Sequence, residues 1–346
     1  MTNPQAAGTF VTPIAGTAGE FQYVTGDCAI DSDETIHIFF AFAGGSQDLE
    51  PLIGYATGGG DNWRSYDTPY RGWVLGMAVD GPQRRFLLFV NSSGVHLGEM
   101  AGDQFAASLA VSSQAADWQF SSGDVVASNG KWWAVWSERA NPSQPFQMFQ
   151  ASTMAASSDL PLPVGSRLPN VVHNSVPSLT LDPTGPDRAV LAWMVVLNDS
   201  SVVRLAKAQT SNAIWHEQAW APPSPQPGRY ASGPDLAAAA GELYGAYGDD
   251  DTITYTLDPP APTATTRFQG EGYSPRVAHS DGRTWVAWRD ADDQVVLAEP
   301  PATTSVQLKT SPSGSTQRLI GMLAAQGQVT VVGADFADQS LWAAGT

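Results

Sequence analysis

The sequence predicts an all-β fold of seven similar four-stranded antiparallel sheets closed into a ring. Three observations predict it. The first is a recurring pattern, an apolar run, a turn rich in Gly, Asp or Asn, and a second apolar or aromatic run, as in "RVAHSDGRTWVAWRD" (276–290). That is a hairpin signature. Its relatives start at Asp27, Gly76, Asp124, Ser178, Asp235 and Gly321, roughly 40 to 60 residues apart, the spacing of propeller blades. The second is the lack of helical periodicity: no window sustains apolar residues at i, i+3 and i+4, and Pro and Gly punctuate the chain throughout. The third is complementary ends. The last repeat runs out after three strands, and "GTFVTPIAG" (8–16) supplies the fourth.

Each repeat is read in the same order. The first hairpin, "DCAIDSDETIHIFFAF" (27–42), is followed by strands at "PLIGYAT" (51–57) and "NWRSYDT" (62–68). The second, 76–90, is followed by "GVHLGEM" (94–100) and "FAASLAVSS" (105–113). The third, 124–138, is followed by "FQMFQAST" (146–153) and a weak strand near "LPLPVGS" (160–166). The fourth, 178–196, is followed by 202–209 and "WHEQAWA" (215–221); the fifth, 235–249, by 252–258 and 263–269. The sixth, 276–290, is followed by 295–300 and 304–310, and the seventh, 321–335, by "SLWAAGT" (340–346). "DLAAAAG" has helical propensity, but its place in the repeat makes it a strand. The Pro-rich "APPSPQPGRY" (221–230) has repeats on both sides, so it reads as a long inter-blade loop. The result is one domain, 1–346, a seven-bladed β-propeller. Its approximate blades are 17–67, 68–116, 117–168, 169–225, 226–270, 271–312 and 313–346 plus 8–16. Closure protects the sheet edges that an open array leaves unpaired.

Composition narrows the function. The net charge is −17, with 34 acids against 17 bases, so a nucleic-acid partner is not expected, and neither is an anionic membrane surface. No run approaches 18 apolar residues and no secretory signal is visible, which predicts a soluble protein, cytoplasmic rather than secreted, without membrane insertion. The single cysteine, Cys28, lies in an apolar run and reads as a buried small hydrophobe.

In a propeller the inner strands converge on the axis. Their first residues are Asp27, Gly76, Asp124, Ser178, Asp235, Arg276 and Gly321. Just upstream stand Tyr23, Trp73, Phe120, Tyr230 and Tyr273, with His173 and Asn174 in the fourth repeat. The loops joining second and third strands open on the same face and carry Asp48, Glu50, Glu138, Asp199, Asp249 to Asp251, Asp290, Asp292 and Asp293. Converging carboxylates repel and raise one another's pKa, so a compensating group is needed. An Asp at such a position also has an ordinary structural use, accepting backbone N–H bonds. Aromatic faces beside carboxylates and an arginine suit a sugar, and equally a cationic amine. Tyr23, Asp27, Trp73, Phe120, Asp124, Ser178 and Tyr230 are therefore the candidate ligand-binding residues, and His173, Asp235, Tyr273 and Arg276 the candidate catalytic ones. The five His residues show no metal-ligand spacing, so no cofactor is expected; "GDDD" and "DADDQ" offer oxygen ligands for Ca²⁺ without matching an EF-hand loop.

"HSDGRTW" and "TGGGDNW" resemble, without its full spacing, the Asp-box turn of sialidase-type propellers, and "YSPR" (273–276) resembles their arginine-bearing motif. The whole chain resembles a seven-bladed propeller of the broad sialidase-like and propeller-lectin type. Sialidases need several converging arginines, and only Arg276 stands at the start of an inner strand here, so sialidase activity is not expected. The resemblance implies an acidic, aromatic-rich axial cavity that binds a carbohydrate-like or cationic small molecule. Two alternatives stand beside this lectin-like reading. One is an axial lyase or glycoside hydrolase using His or Tyr with Asp, as His173, Tyr230, Tyr273 and Arg276 resemble the set of propeller lyases; the other is a protein-interaction scaffold. Propeller lectins repeat their binding residues blade after blade; these repeats have diverged, which predicts one asymmetric site.

Overall fold

The second strand of each repeat is largely apolar because both its faces are covered. In "KWWAVWSE" (Lys131–Glu138), Trp133 and Val135 pack toward the following sheet, while Trp132, Ala134 and Trp136 pack toward the preceding one. A strand covered on both faces has no solvent side to make polar. Each large side chain so covered contributes about 1.5–3 kcal/mol.

The computed structural model describes residues 10–17, 21–44, 50–59, 62–112, 122–139, 146–154, 171–182, 184–185, 188–198, 200–209, 215–220, 233–249, 252–270, 272–309 and 315–345. They form seven antiparallel sheets, the blades of a propeller. Blade 1 is Tyr23–Ile30, Ile36–Ala43, Leu52–Gly59 and Asn62–Arg71. Blade 2 is Trp73–Asp80, Arg84–Asn91, Gly94–Ala101 and Leu109–Ala110, with Gln104–Phe105 also paired to its third strand. Blade 3 shows three strands among the described residues, Ser122–Ser128, Lys131–Glu138 and Gln147–Ser152; the weak strand expected near 160–166 lies outside them, as does the loop 221–230. Blade 4 is Val171–Leu181, Arg188–Leu197, Ser201–Gln209 and Trp215–Ala219. Blade 5 is Asp235–Ala239, Glu242–Asp249, Thr252–Leu257 and Ala264–Gln269, so "DLAAA" is a strand. Blade 6 is Gly272–Ser280, Arg283–Asp290, Val295–Ala298 and Val306–Gln307. Blade 7 is Gln317–Ala325, Gln328–Asp335 and Ser340–Gly345, completed by the N-terminal strand Phe10–Pro13.

The core is a ring of inter-blade layers rather than a single centre. One layer joins blades 7 and 1 through Ile14, Ile38, Phe40, Ile320 and Val332, and each later pair of neighbours shares its own. Tight hairpins set the strand order. Asn129–Gly130, Ala240–Gly241, Asp281–Gly282 and Gln326–Gly327 all have both residues at positive φ. That is the primed turn whose twist matches the flanking strands. Among the described residues no helix is long and apolar enough to cross a membrane.

Candidate functional site

Seven equivalent inner-strand positions, Asp27, Gly76, Asp124, Ser178, Asp235, Arg276 and Gly321, meet around an axial cavity of about 530 Å³ that all except Gly76 line. Four of their side chains reach sideways and bind the next blade. Met77 N–H donates to Asp27 Oδ2 at 2.8 Å, Leu179 N–H to Asp124 Oδ2 at 2.7 Å, and Val277 N–H to Asp235 Oδ2 at 2.7 Å. Leu236 N–H donates to Ser178 Oγ at 3.0 Å. The second oxygens of Asp27 and Asp124 accept the N–H groups of Cys28 (2.9 Å) and Val125 (2.7 Å). The aspartates thus do the ordinary structural work, closing one blade onto the next. Two ring positions are glycine because the neighbouring blade approaches too closely for a side chain: a Cβ would lie 2.9 Å from Asp124 Cα at Gly76 and 2.4 Å from Cys28 Sγ at Gly321.

Arg276 answers the repulsion among these acids. Its Nη1 lies 3.8 Å from Asp235 Oδ1. Burial works against the guanidinium, but Asp235, then Asp27 and Asp124, outweigh it and hold it protonated. One guanidinium does not balance three carboxylates. Burial pushes Asp27 up to about 6, against the pull of Arg276. Burial and then the Asp27 charge push Asp124 well above the usual carboxylate range, and burial raises Asp235 while Arg276 lowers it. These groups lie deep in the torus yet open onto the cavity, the Asp235 and Arg276 side chains keeping 16% and 30% of their surface accessible.

The other candidate residues fall elsewhere. Tyr23 is 53% exposed, Trp73 packs against the layer between blades 2 and 3, and the Tyr273 ring is covered by the Arg289 guanidinium at 5.4 Å. None of these three lines the cavity. Phe120 and Tyr230 lie outside the described residues, and so does the side chain of His173, whose backbone pairs with Val196 in blade 4. The loop acids are engaged locally. Glu138 accepts from Ser112 Oγ at 2.7 Å, Asp290 accepts the N–H groups of Asp292 (3.0 Å) and Gln294 (2.9 Å), and Asp293 pairs with Arg289 at 3.2 Å. Asp48, Asp199, Asp250 and Asp251 lie outside the described residues, among which no group of three or more His, Cys, Asp or Glu is arranged for a metal ion.

Two basic lining residues, His279 and Arg318, stand outside the candidate residues. His279 faces the cavity's far end, but its Nδ1 lies 2.9 Å from Thr284 Oγ1 and its ring stacks on Tyr244 at 4.2 Å; burial holds it below its ordinary pKa. Arg318 lines the cavity three residues before Gly321, the offset at which Trp73 and Tyr273 stand before their own ring positions. A charged side chain at that offset is the sequence signal that marks it.

No protein-family model matches the sequence, and no curated protein does. Solved structures do resemble it. The β-propeller domain of Cps50 (Swd1) from Myceliophteria thermophila is 10% identical, over 96% of this chain and 99% of that one, with a TM-score of 0.56. A protein of unknown function from Dyadobacter fermentans is 11% identical over 86% and 96%, with a TM-score of 0.52. The SapL1 lectin, in complex with alpha methyl fucoside, is 11% identical over 84% and 96%, with a TM-score of 0.47. These likenesses concern the fold, which hosts unrelated functions.

Proposed function

We propose that the axial cavity is a single binding site for a small ligand that presents hydroxyl or cationic nitrogen groups to the aspartate ring, and that the protein binds this ligand without transforming it. The observation that carries the reading is the unbalanced ring: three carboxylates, one hydroxyl and one guanidinium around about 530 Å³, a volume in the range of small-molecule sites. A cationic nitrogen offsets the remaining negative charge. Since Tyr23, Trp73 and Tyr273 do not line the cavity, the stacking platform that would favour a neutral sugar is missing from the described lining. The ring residues differ from blade to blade, which favours one site per chain over seven equivalent ones. Binding is preferred to catalysis because the candidate acids serve backbone groups and Tyr273 is covered by Arg289.

Calorimetry with hexylamine and with methyl glucoside tests this. Hexylamine is expected to bind one equivalent per chain and more tightly than the glucoside. Its affinity should fall by roughly tenfold per pH unit below the Asp27 value as a proton takes the amine's place. Binding that is absent, in several equivalents, or insensitive to pH between 5 and 8 overturns the reading.

A further inference from the structure

Of the two arginines that line the cavity among the described residues, Arg276 has an ion pair and Arg318 does not. Among the described residues Arg318 makes no hydrogen bond and no ion pair, and it lines the same cavity as the ring of acids. Its neighbour Arg289 is engaged, bonded to Asp293 at 3.2 Å and laid over Tyr273 at 5.4 Å. Arg276, deeper in, is held by the three ring carboxylates. Arg318 gains no such partner. Arg318 keeps an exposed side chain at the cavity, yet partial burial, and then the like charge of Arg289, disfavour its protonated form, and Asp293 offsets this only in part. An uncompensated guanidinium facing a cavity is where an anionic group gains most, because the fork geometry of arginine suits a carboxylate or phosphate.

Its place along the strand fixes where that anion would sit. Gly321 is level with the aspartate ring, since a Cβ there would lie 3.6 Å from Asp27 Oδ1. Three residues toward the start of Gln317–Ala325 correspond to about 10 Å of strand, shortened by the register shift between Leu319 and Gly321. The cavity is therefore bipolar along the axis: negative at the ring, positive at Arg318, with the two poles separated by several side-chain lengths.

We propose that Arg318 is the anion-holding end of the axial site, so that its ligand is a zwitterion, a cationic nitrogen seated at the aspartate ring joined by a short spacer to a carboxylate or similar acid at Arg318. This rests on the axial binding reading and adds the second charge to it. An α-amino acid is too short to reach both poles; an ω-amino acid or a dipeptide-sized molecule spans them.

Three probes of equal chain length separate the two claims: 6-aminohexanoate, hexylamine and hexanoate, titrated by calorimetry at pH 8 into the full-length protein. The zwitterion is expected to bind about tenfold more tightly than hexylamine, and hexanoate least. In Arg318→Gln the affinity ratio of zwitterion to amine should fall to about one, and Arg318→Lys should recover part of it. Thermal unfolding of each variant shows that the fold is intact, and the ratio between probes on the same variant cancels any general loss of binding. Equal affinity of zwitterion and amine for the unaltered protein, or a ratio unchanged by Arg318→Gln, overturns the role of Arg318 and leaves axial amine binding standing. If none of the three binds, the axial reading falls and this inference with it.

Discussion

Asp27 serves two backbone N–H groups on two different blades, and its charge is raised in cost by the place where it does so. Removing it therefore has consequences of different size at different pH. In Asp27→Ala the N–H groups of Met77 and Cys28 lose their acceptor, at about 1–3 kcal/mol when they are left unsatisfied. Against this, the carboxylate's pKa is lifted from 3.8 to about 6 in the fold. The folded ring keeps a proton that the unfolded chain releases across that window. Stability contributed by the protonated form is complete below pH 3.8, falls as the pH rises through the window, and changes no further above about 6. Urea denaturation should thus show Asp27→Ala clearly less stable than the parent at pH 4, with the gap narrowing by pH 7. A gap of constant size would mean that the carboxylate carries no burial penalty.

Hairpin chemistry decides how cheaply each blade starts. Asn129–Gly130 and Asp281–Gly282 use residues suited to positive φ, whereas Ala240 adopts φ 53° with a Cβ that disfavours it. Such a conformation costs about 1–2 kcal/mol in an ordinary residue and less in asparagine. Ala240→Asn is expected to stabilise the protein by about 0.5–1 kcal/mol, read as a rise in melting temperature. No change would show that the turn is held by its blade rather than by its own residues. Irregularity at the start of the inner strands has the opposite effect on prediction. Register shifts separate Val74 from Gly76, Ser175 from Ser178, Tyr273 from Arg276 and Leu319 from Gly321. Each breaks the simple alternation of side chains between the ring position and the residues just before it.

At the scale of the molecule, the closure joins the two ends of the chain. Phe10–Pro13 pairs with Trp342–Gly345, Ile14 N–H donates to Leu341 O at 2.9 Å, and Thr17 Oγ1 accepts from Leu341 N–H at 3.1 Å while donating to Ile14 O at 2.7 Å. Ile14 also fills the layer between blades 7 and 1. Deleting residues 1–17 uncovers the outer edge of Ser340–Gly345 and empties that place in the core. The lost Ile14 burial alone is about 1.5–3 kcal/mol. The shortened protein should melt earlier and scatter light with increasing concentration, as an open strand edge recruits another chain. Equal melting temperatures and no scattering would mean that the ring closes without this strand.

The sequence by itself determined the seven sheets, their strand order, the N-terminal closure and the meeting of Asp27, Asp124, Ser178, Asp235 and Arg276 at the axis. A repeat fixes direction and layer, and a residue at this level of an inner strand can point only toward the axis or the next blade. All these strands except that of Asp235 nevertheless begin earlier than the sequence predicts, at Tyr23, Trp73, Ser122, Val171, Gly272 and Gln317. Only the tertiary structure decided what those residues do there. The carboxylates turned sideways to N–H groups more than 40 residues away in the chain, Tyr273 went under Arg289, and Arg318 came to line the cavity with no ion pair among the described residues. Local pattern carries the periodic part of a fold. It does not carry hydrogen bonds between blades, the reach of a long side chain past a register shift, or the electrostatic balance of groups brought together from six different repeats.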